Sequence, residues 1–258
     1  DPGFLAATAY QSRFHRPKLP RLSVSPQGLK VERGLWHCFQ VGGIPAFAAD
    51  TRTERSSRTL GTWRNASIMG EEQMKAIEAW LTEHPKGPKL LCSGSVFALP
   101  ENRFVAQPAT CIAADNWLGY PASWRRLVRF IVKNEIEGLI FVAGDYHLSA
   151  LVELELSSQG KSVKALNLVC SAWNASLPFA IAQPSDFLFD QPVYAPGSDA
   201  DAAMVCTARF ASDAQRQFSK VTVTRDAENR GTAAVAMDVY GPGNVLAKGL
   251  RAQLPSGG

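Results

Sequence analysis

The sequence predicts a layered α/β fold whose second half is mainly antiparallel β. Short apolar runs alternate with two amphipathic helical segments before residue 148, which is typical of a buried parallel sheet. After residue 148, five segments alternate apolar and polar residues, as half-buried antiparallel strands do. With 258 residues the chain is long enough to bury a full core. We therefore expect one domain over residues 1–258, with an α/β part at 35–148 and an antiparallel β part at 149–258.

The α/β part is predicted from signals in the order strand, helix, strand, helix, strand. The turn Gly42-Gly43 separates two strand-like runs within residues 34–52. Pro121 suits the first turn of the second helix. Residues 1–34 are rich in Pro, Arg and Ser without periodicity, and they predict a winding connection. The elements that follow are a helix at 69–84, a strand at 88–94, a helix that starts at Pro121 within the segment 115–138, and a strand at 139–144.

The β part begins with a predicted hairpin. Residues 150–156 and 163–171 alternate on either side of a turn with the sequence SSQGKS. Residues 178–205 contain several Pro and Asp residues and predict an irregular loop. Three more alternating strands follow, within residues 218–226, 232–241 and 245–254.

Composition and charge exclude several classes of protein. The chain is 46% hydrophobic and 19% charged, which is typical of globular proteins. The net charge is only +4 and the basic residues are scattered, so no duplex nucleic-acid footprint is indicated. No run approaches the ~20 apolar residues of a membrane span, and residues 1–20 show no secretory signal. Dispersed in apolar runs, the five cysteines are expected to be small buried hydrophobes: Cys38, Cys92, Cys111, Cys170 and Cys206.

The stretch FVAGDYHLSA, residues 141–150, carries the clearest chemical signal. An apolar strand ends at Gly144 and is followed at once by Asp145 and His147. In open α/β sheets, ligands gather at the carboxyl ends of the strands. If the backbone stays extended, the two side chains reach the same side, where a carboxylate and an imidazole suit Zn, Fe or Mn. The alternative is an Asp that caps a loop beside a partly exposed His.

Further motifs give this signal a context. GDYHLSALVEL resembles the closing Gly-Asp-x-His motif of calcineurin-like metallophosphoesterases. Four other stretches are similar, in the same order, to motifs of the PhoD-like alkaline phosphatase D family within that superfamily. These stretches span residues 45–182 and read AFAADTRTERS, IMGEEQMKAIEAWL, DNWLGYPASWRRLVRFI and LNLVCSAWNASLPFAIA.

The resemblance implies a metal-dependent phosphoesterase with a layered, calcineurin-like α/β sandwich of four layers. It implies two or more metal ions, Fe with Ca foremost and Mn or Zn as further choices, and a metal-activated hydroxide that attacks a small phosphate ester. Asp145 and His147 are the expected catalytic pair and metal ligands. Asp115 matches an acidic position near the site, although capping of the following helix is the favoured alternative.

Other residues are expected around the substrate. Trp117 and Tyr120 match positions that line a substrate mouth, with packing as the favoured alternative. Arg52 would bind phosphate and Asp50 would support the site, although an ordinary salt bridge at the strand end explains them equally well. Ser171 would point toward the site and support the metal ligands. The alternative is a buried, hydrogen-bonded serine.

One part of the family pattern has no counterpart in this sequence. The early Gly-Asp and Asp/His-rich motifs of the family precede the matching region, and residues 1–44 contain no acidic pair at ligand spacing. We therefore expect the chain to correspond to the C-terminal portion of a PhoD-like protein, in which the remaining ligands come from a longer chain. The alternative is a degenerate, non-catalytic binding protein with this fold that lacks half of the metal site.

Overall fold

A computed structural model describes most of the chain. The described residues are 22–25, 28–31, 35–98, 112–146, 149–170, 193–194, 202–212, 217–225, 233–241, 243 and 246–254. The expectations for His147, Ser171 and Cys111 fall on residues outside these ranges.

The centre of the described structure is an eight-stranded mixed sheet. Its strand order is β3-β4-β5-β6-β8-β7-β10-β9, with parallel pairing from β4 through β5 and β6 to β8 and antiparallel pairing elsewhere. These strands are β3 (His37–Val41), β4 (Ile44–Ala49), β5 (Lys89–Ser93), β6 (Leu139–Ala143), β7 (Ser149–Ser158), β8 (Lys161–Val169), β9 (Val193–Tyr194) and β10 (Ala203–Ser212).

Two helices connect the parallel strands, as the apolar periodicity predicts. Helix α1 (Glu71–Glu83) begins after Gly70 and carries two acidic residues in its first turn, which suit the positive end of the helix dipole. Helix α2 (Pro121–Lys133) begins at a proline, whose missing N–H costs nothing at this position. Each helix buries one stripe of apolar side chains in the same core, so both helices cover the same face of the central sheet.

The opposite face of the central sheet is covered by a second sheet. Its antiparallel strands are β11 (Phe218–Arg225), β12 (Ala233–Tyr240) and β13 (Leu246–Leu254). Alternate residues of the central strands therefore serve two cores. Phe141 and Val152 face the helices, whereas Ile140 and Leu151 pack against the second sheet. The described layers are thus helices, central sheet and second sheet.

Three expectations from the sequence are corrected here. Within the winding connection predicted at 1–34, a small antiparallel hairpin is formed by β1 (Leu22–Ser25) and β2 (Gly28–Val31). Strand β10 was missed, and its first residues had been placed in the irregular loop. Its alternation is weak in sequence because several of its inward positions hold small residues. Cys38 is exposed and Cys92 and Cys170 are only half-buried, so of the described cysteines Cys206 alone is the buried hydrophobe that was expected.

The predicted change of architecture after residue 148 is confirmed, but it does not divide the sheet. Strands β7 and β8 form the predicted hairpin, and β8 then pairs in parallel with β6. The first strands of the antiparallel half, β7 to β10, therefore extend the α/β sheet directly, whereas β11 to β13 form the second sheet. None of the helices in the described ranges has the length and apolar character that crossing a bilayer requires.

Candidate functional site

The candidate site lies where the parallel strands β4, β5 and β6 end. A cleft of about 420 Å³ opens there on the side of the second sheet. Because the carboxyl ends of parallel strands meet at one edge, the loops that follow them come together at this cleft. The lining residues are Ala48, Ala49, Cys92, Ser93, Gly94, Val142, Ala143, Gly144 and Cys170.

Asp145 follows β6 at the edge of this region and is half-exposed. Its backbone has a φ of 71°, so it turns in the left-handed region instead of continuing as an extended strand. The extended backbone on which the shared side of Asp145 and His147 was made conditional is therefore not present at Asp145. Asp145 Oδ2 accepts one 3.4 Å hydrogen bond from Arg52 Nη2. That contact is long, so the carboxylate retains oxygen lone pairs for a cation.

Asp115 holds two arginines rather than a helix end. Its Oδ2 accepts a hydrogen bond from Arg52 Nη1 at 2.6 Å, and its Oδ1 accepts from Arg55 Nη1. The favoured capping role is wrong, because Asn116 is the residue whose side chain accepts from the backbone N–H of Gly119. Both oxygens of Asp115 are thus engaged by guanidinium groups, which fits a metal-ligand role poorly.

The charge of Asp115 is stabilised by this pairing. Partial burial acts to raise the pKa of the carboxyl group, but the hydrogen bonds and charges of Arg55 and Arg52 outweigh it. The pKa of Asp115 therefore lies below its ordinary value, and the group is ionised at neutral pH. A carboxylate that is fixed as an anion between two guanidinium groups serves best as an anchor for them.

Asp50 closes the turn after β4. Its carboxylate accepts hydrogen bonds from the backbone N–H groups of Arg52 and Thr53, and from the hydroxyl of Thr53. The buried side chain of Gln73, on α1, bonds both the N–H and the C=O of Asp50 at 2.8 Å. Asp50 therefore shapes the loop that carries Arg52, by local backbone bonds and not by the salt bridge considered from sequence.

Trp117 and Tyr120 belong to the core. Trp117 is fully buried and Tyr120 is 3% exposed. The indole N–H of Trp117 donates to Ser93 Oγ at 3.1 Å, and the guanidinium of Arg58 lies 4.1 Å from the centroid of the Tyr120 ring. The geometry favours the packing alternative for both rings, which corrects the expectation that they line a substrate mouth. Trp117 holds the loop before α2 against the end of β5, and Tyr120 packs against the arginines that follow β4.

The structure also reveals site residues that the sequence analysis missed. Arg55 and Ser95 lie behind Asp115 and link the ends of β4 and β5, since Ser95 Oγ accepts from Arg55 Nη2 at 2.6 Å and from Thr51 Oγ1 at 3.1 Å. A signal was present in TRTERSSR, where arginines recur at every third position. Within the described ranges, no group of three or more His, Cys, Asp or Glu side chains has the arrangement of a metal site. His147 and Ser171, two of the expected site residues, lie outside those ranges.

Comparisons with known proteins agree with the motifs. Alkaline phosphatase D of Bacillus subtilis (strain 168) is 25% identical over 169 residues, which cover 61% of this chain and 28% of that protein. A solved structure of PhoD superposes with a TM-score of 0.52 at 17% identity, and the match covers 93% of this chain and 47% of that one. This structural likeness supports the fold alone. The chain thus spans less than half the length of both relatives.

The family itself is established over most of the sequence. A model of the PhoD-like phosphatase family matches residues 6–227. That range contains the whole parallel part of the sheet, both helices, and the loops that carry Arg52, Asp115 and Asp145. The chain therefore belongs to the PhoD-like phosphatase family.

Proposed function

We propose that this chain contributes to a metal-dependent phosphoesterase that hydrolyses small phosphate mono- or diesters. Membership of the PhoD-like phosphatase family supports the reaction class. The observation that carries the proposal in this chain is the pairing of an exposed carboxylate, Asp145, with the guanidinium of Arg52 at the carboxyl edge of the sheet. One group suits a cation and the other suits a phosphoryl oxygen.

Asp145, together with His147, would hold a metal ion, with Fe or Ca as the first choices and Mn or Zn as others. Asp145 fits this role because, among the described residues, its carboxylate accepts only the long 3.4 Å hydrogen bond from Arg52. Asp115 does not fit it, since both its oxygens accept from arginines. When bound, such an ion supplies an activated water and offsets negative charge on the phosphoryl group.

Arg52 would bind the ester phosphate. Its guanidinium is half-exposed and offers donors in a fixed fork that matches two phosphoryl oxygens. Asp115 holds it from one side, so little side-chain freedom is lost when the phosphate binds. A cation on Asp145 would compete with the 3.4 Å contact from Arg52, whose Nη2 would then be available to donate to the substrate.

The proposal is tested in a full-length protein that contains this chain. Hydrolysis of bis-p-nitrophenyl phosphate and p-nitrophenyl phosphate is measured with bound metal content for the parent, Asp145→Asn and His147→Ala. We expect kcat/KM to fall at least ~10³-fold in both variants, because each removes a proposed ligand of the metal ion that would activate water against the phosphorus. The matched control is His84→Ala, at the end of α1, which should retain activity. Parental turnover in His147→Ala would refute the proposal.

The non-catalytic alternative is kept because one of the three expected ligands, Asp115, is engaged by arginines. It predicts a parent protein without stoichiometric metal and without turnover, even after addition of Fe and Ca salts. Elemental analysis of the full-length protein separates the two functions. The catalytic proposal requires bound metal in the parent protein and a lower bound-metal content in Asp145→Asn.

A further inference from the structure

Arg55 is held by side-chain hydrogen bonds to three described residues at the carboxyl edge of the sheet. Its Nε donates to the carbonyl oxygen of Thr51, its Nη1 to Asp115 Oδ1, and its Nη2 to Ser95 Oγ. Its guanidinium also lies 5.2 Å from the centroid of the Tyr120 ring, within the range of a cation–π interaction. Only 15% of the side chain is exposed, against 48% for Arg52. Arg55 is thus too enclosed to meet a substrate itself.

Asp115 transmits this anchoring outward. One of its oxygens bonds Arg55 and the other bonds Arg52, so a single carboxylate lies between a buried and an exposed guanidinium. The position of Arg52 therefore depends on where Arg55 holds Asp115. The Nη2 of Arg52 then donates to Asp145 Oδ2.

The charges of Arg52, Arg55, Asp115 and Asp145 support separate roles for the two arginines. While no cation is bound to Asp145, the positive charges of Arg52 and Arg55 balance the negative charges of Asp115 and Asp145. Once Asp145 is engaged by a cation, the remaining Arg52, Arg55 and Asp115 carry a net charge of +1, since Asp115 neutralises only one of the two. That excess lies at the exposed member, Arg52, where an anion can approach.

We propose that Arg55 is a positioning residue that acts through Asp115 to fix the guanidinium of Arg52 for binding of the substrate phosphate. The inference deepens the proposed function and, for the identity of the bound anion, rests on it. It assigns Asp115 to the arginine pair, as the link between Arg55 and Arg52, and removes it from the metal ligands.

The kinetic test uses Arg55→Gln and Arg55→Lys in the full-length enzyme with bis-p-nitrophenyl phosphate. Because Arg52 contacts the phosphate in the ground state and the transition state alike, we expect KM to rise about tenfold while kcat stays within about threefold. In an Arg52→Ala background the same substitutions should leave KM unchanged, since nothing is left to position. An equal rise in KM in both backgrounds would overturn the proposal.

Arg58→Gln is the matched control. Arg58 also stacks on Tyr120, but it donates to the carbonyl oxygens of Ala114 and Gly119 instead of to the Asp115 carboxylate. It should lower thermal stability as Arg55→Gln does and leave KM unchanged. A rise in KM equal to that of Arg55→Gln would show that general loosening of the loop, and not positioning, moves KM.

A readout independent of turnover separates the two proposals. Crystal structures of the parent and of Arg55→Lys should show Arg52 Nη1 within hydrogen-bond distance of Asp115 in the parent only. Retention of that contact in the variant contradicts positioning, whatever the activity. If the parent has no phosphoesterase activity, the proposed function fails, and these structures still decide whether Arg55 fixes Arg52.

Discussion

Gly138 and Gly87 are in direct backbone contact at the amino ends of β6 and β5. Gly138 has a φ of 73°, and a Cβ built on it would overlap the carbonyl group of Gly87. The two turns are joined by hydrogen bonds from Lys89 N to Gly138 O at 3.0 Å and from Glu137 N to Pro85 O at 2.9 Å. This edge of the sheet is therefore closed by backbone, opposite the edge that carries the candidate site.

Gly138→Ala should destabilise the protein by about 3 kcal/mol or more. The added methyl meets both a left-handed φ and an immovable carbonyl. The control is Gly160→Ala, in the β7–β8 turn, where φ is 78° but no atom lies within 4 Å of the new Cβ. It should cost only about 1 kcal/mol. Urea denaturation of both variants measures the difference, and equal costs would contradict the contact with Gly87.

The buried Lys89 should make stability depend on alkaline pH. Burial, with a smaller contribution from Lys86, lowers the pKa of Lys89 to about 7 against the opposing effect of Glu137, and its Nζ donates to the carbonyls of Gly87 and Glu137. Between that pH and about 10.5 the unfolded chain binds a proton that the folded chain has released. The Lys89 contribution therefore increases stability as pH rises through this window, by a few kcal/mol in order of magnitude.

The check is the difference in unfolding free energy between the parent and Lys89→Met at pH 7, 8, 9 and 10. That difference should move in favour of the parent as pH rises. Lys75→Met is the control, because Lys75 is exposed, pairs with Glu71 at 3.6 Å and does not contribute to the pKa of Lys89. A pH-independent difference for Lys89→Met would show that the amine titrates normally.

Removing the hydroxyl of Ser93 should cost about 1–3 kcal/mol. Ser93 Oγ accepts from the fully buried indole of Trp117 and donates to the carbonyl oxygen of Ser95 at 2.6 Å, so Ser93→Ala leaves a buried N–H unpaired. In a Trp117→Phe background the same change should cost less, because that N–H is gone. Thermal unfolding of the four proteins of this cycle gives the coupling, and strict additivity would argue against the bond.

Arg126 should stabilise the packing of α2 against α1. Its Nε and Nη2 bond the two oxygens of Glu78 at 2.7 and 2.9 Å, and its Nη1 bonds Glu71 at 2.6 Å. We expect Arg126→Met to lower the free energy of unfolding by about 1 kcal/mol, and Arg126→Lys to recover only part of it because the fork is lost.

The comparison for Arg126 is the pair Lys161–Glu135, whose two side chains are equally exposed. Lys161→Met should change stability by less than about 0.5 kcal/mol. Urea titrations at 0.1 and 1 M NaCl provide both values. An effect of Arg126→Met no larger than that of Lys161→Met would mean that the inter-helix bridge contributes nothing beyond a surface pair.

Much of the fold was accessible from sequence because its signals are local. The amphipathic segment at 69–84 predicts α1, the Gly42-Gly43 turn predicts the β3–β4 hairpin, and Pro121 predicts the start of α2. Strand β10 escaped because small residues weaken its alternation, and the pairing of β8 with β6 escaped because strand order depends on contacts between residues far apart in the chain.

The candidate site was predictable as a location and less so in its details. The end of β6 predicts a polar residue at the sheet edge, and Asp145 is there. The roles of Asp115 and Arg55 depend on a contact across sixty residues of chain, which no local spacing encodes. The left-handed φ of Asp145 could not be predicted, because at a non-glycine residue it is set by the surroundings.

The insertion of β8 beside β6 connects the edge that carries the candidate site to the second half of the chain. β6 is flanked by β5 on one side and β8 on the other, so the backbone groups on its second side find partners only after the β7–β8 hairpin has docked. If the chain were cleaved at residue 148 and the two fragments separated, β6 would lose its pairing with β8. The apolar β7–β8 hairpin would lose the strand against which it pairs. Neither fragment would hold a native shape alone, and proteolytic nicking there should abolish cooperative unfolding.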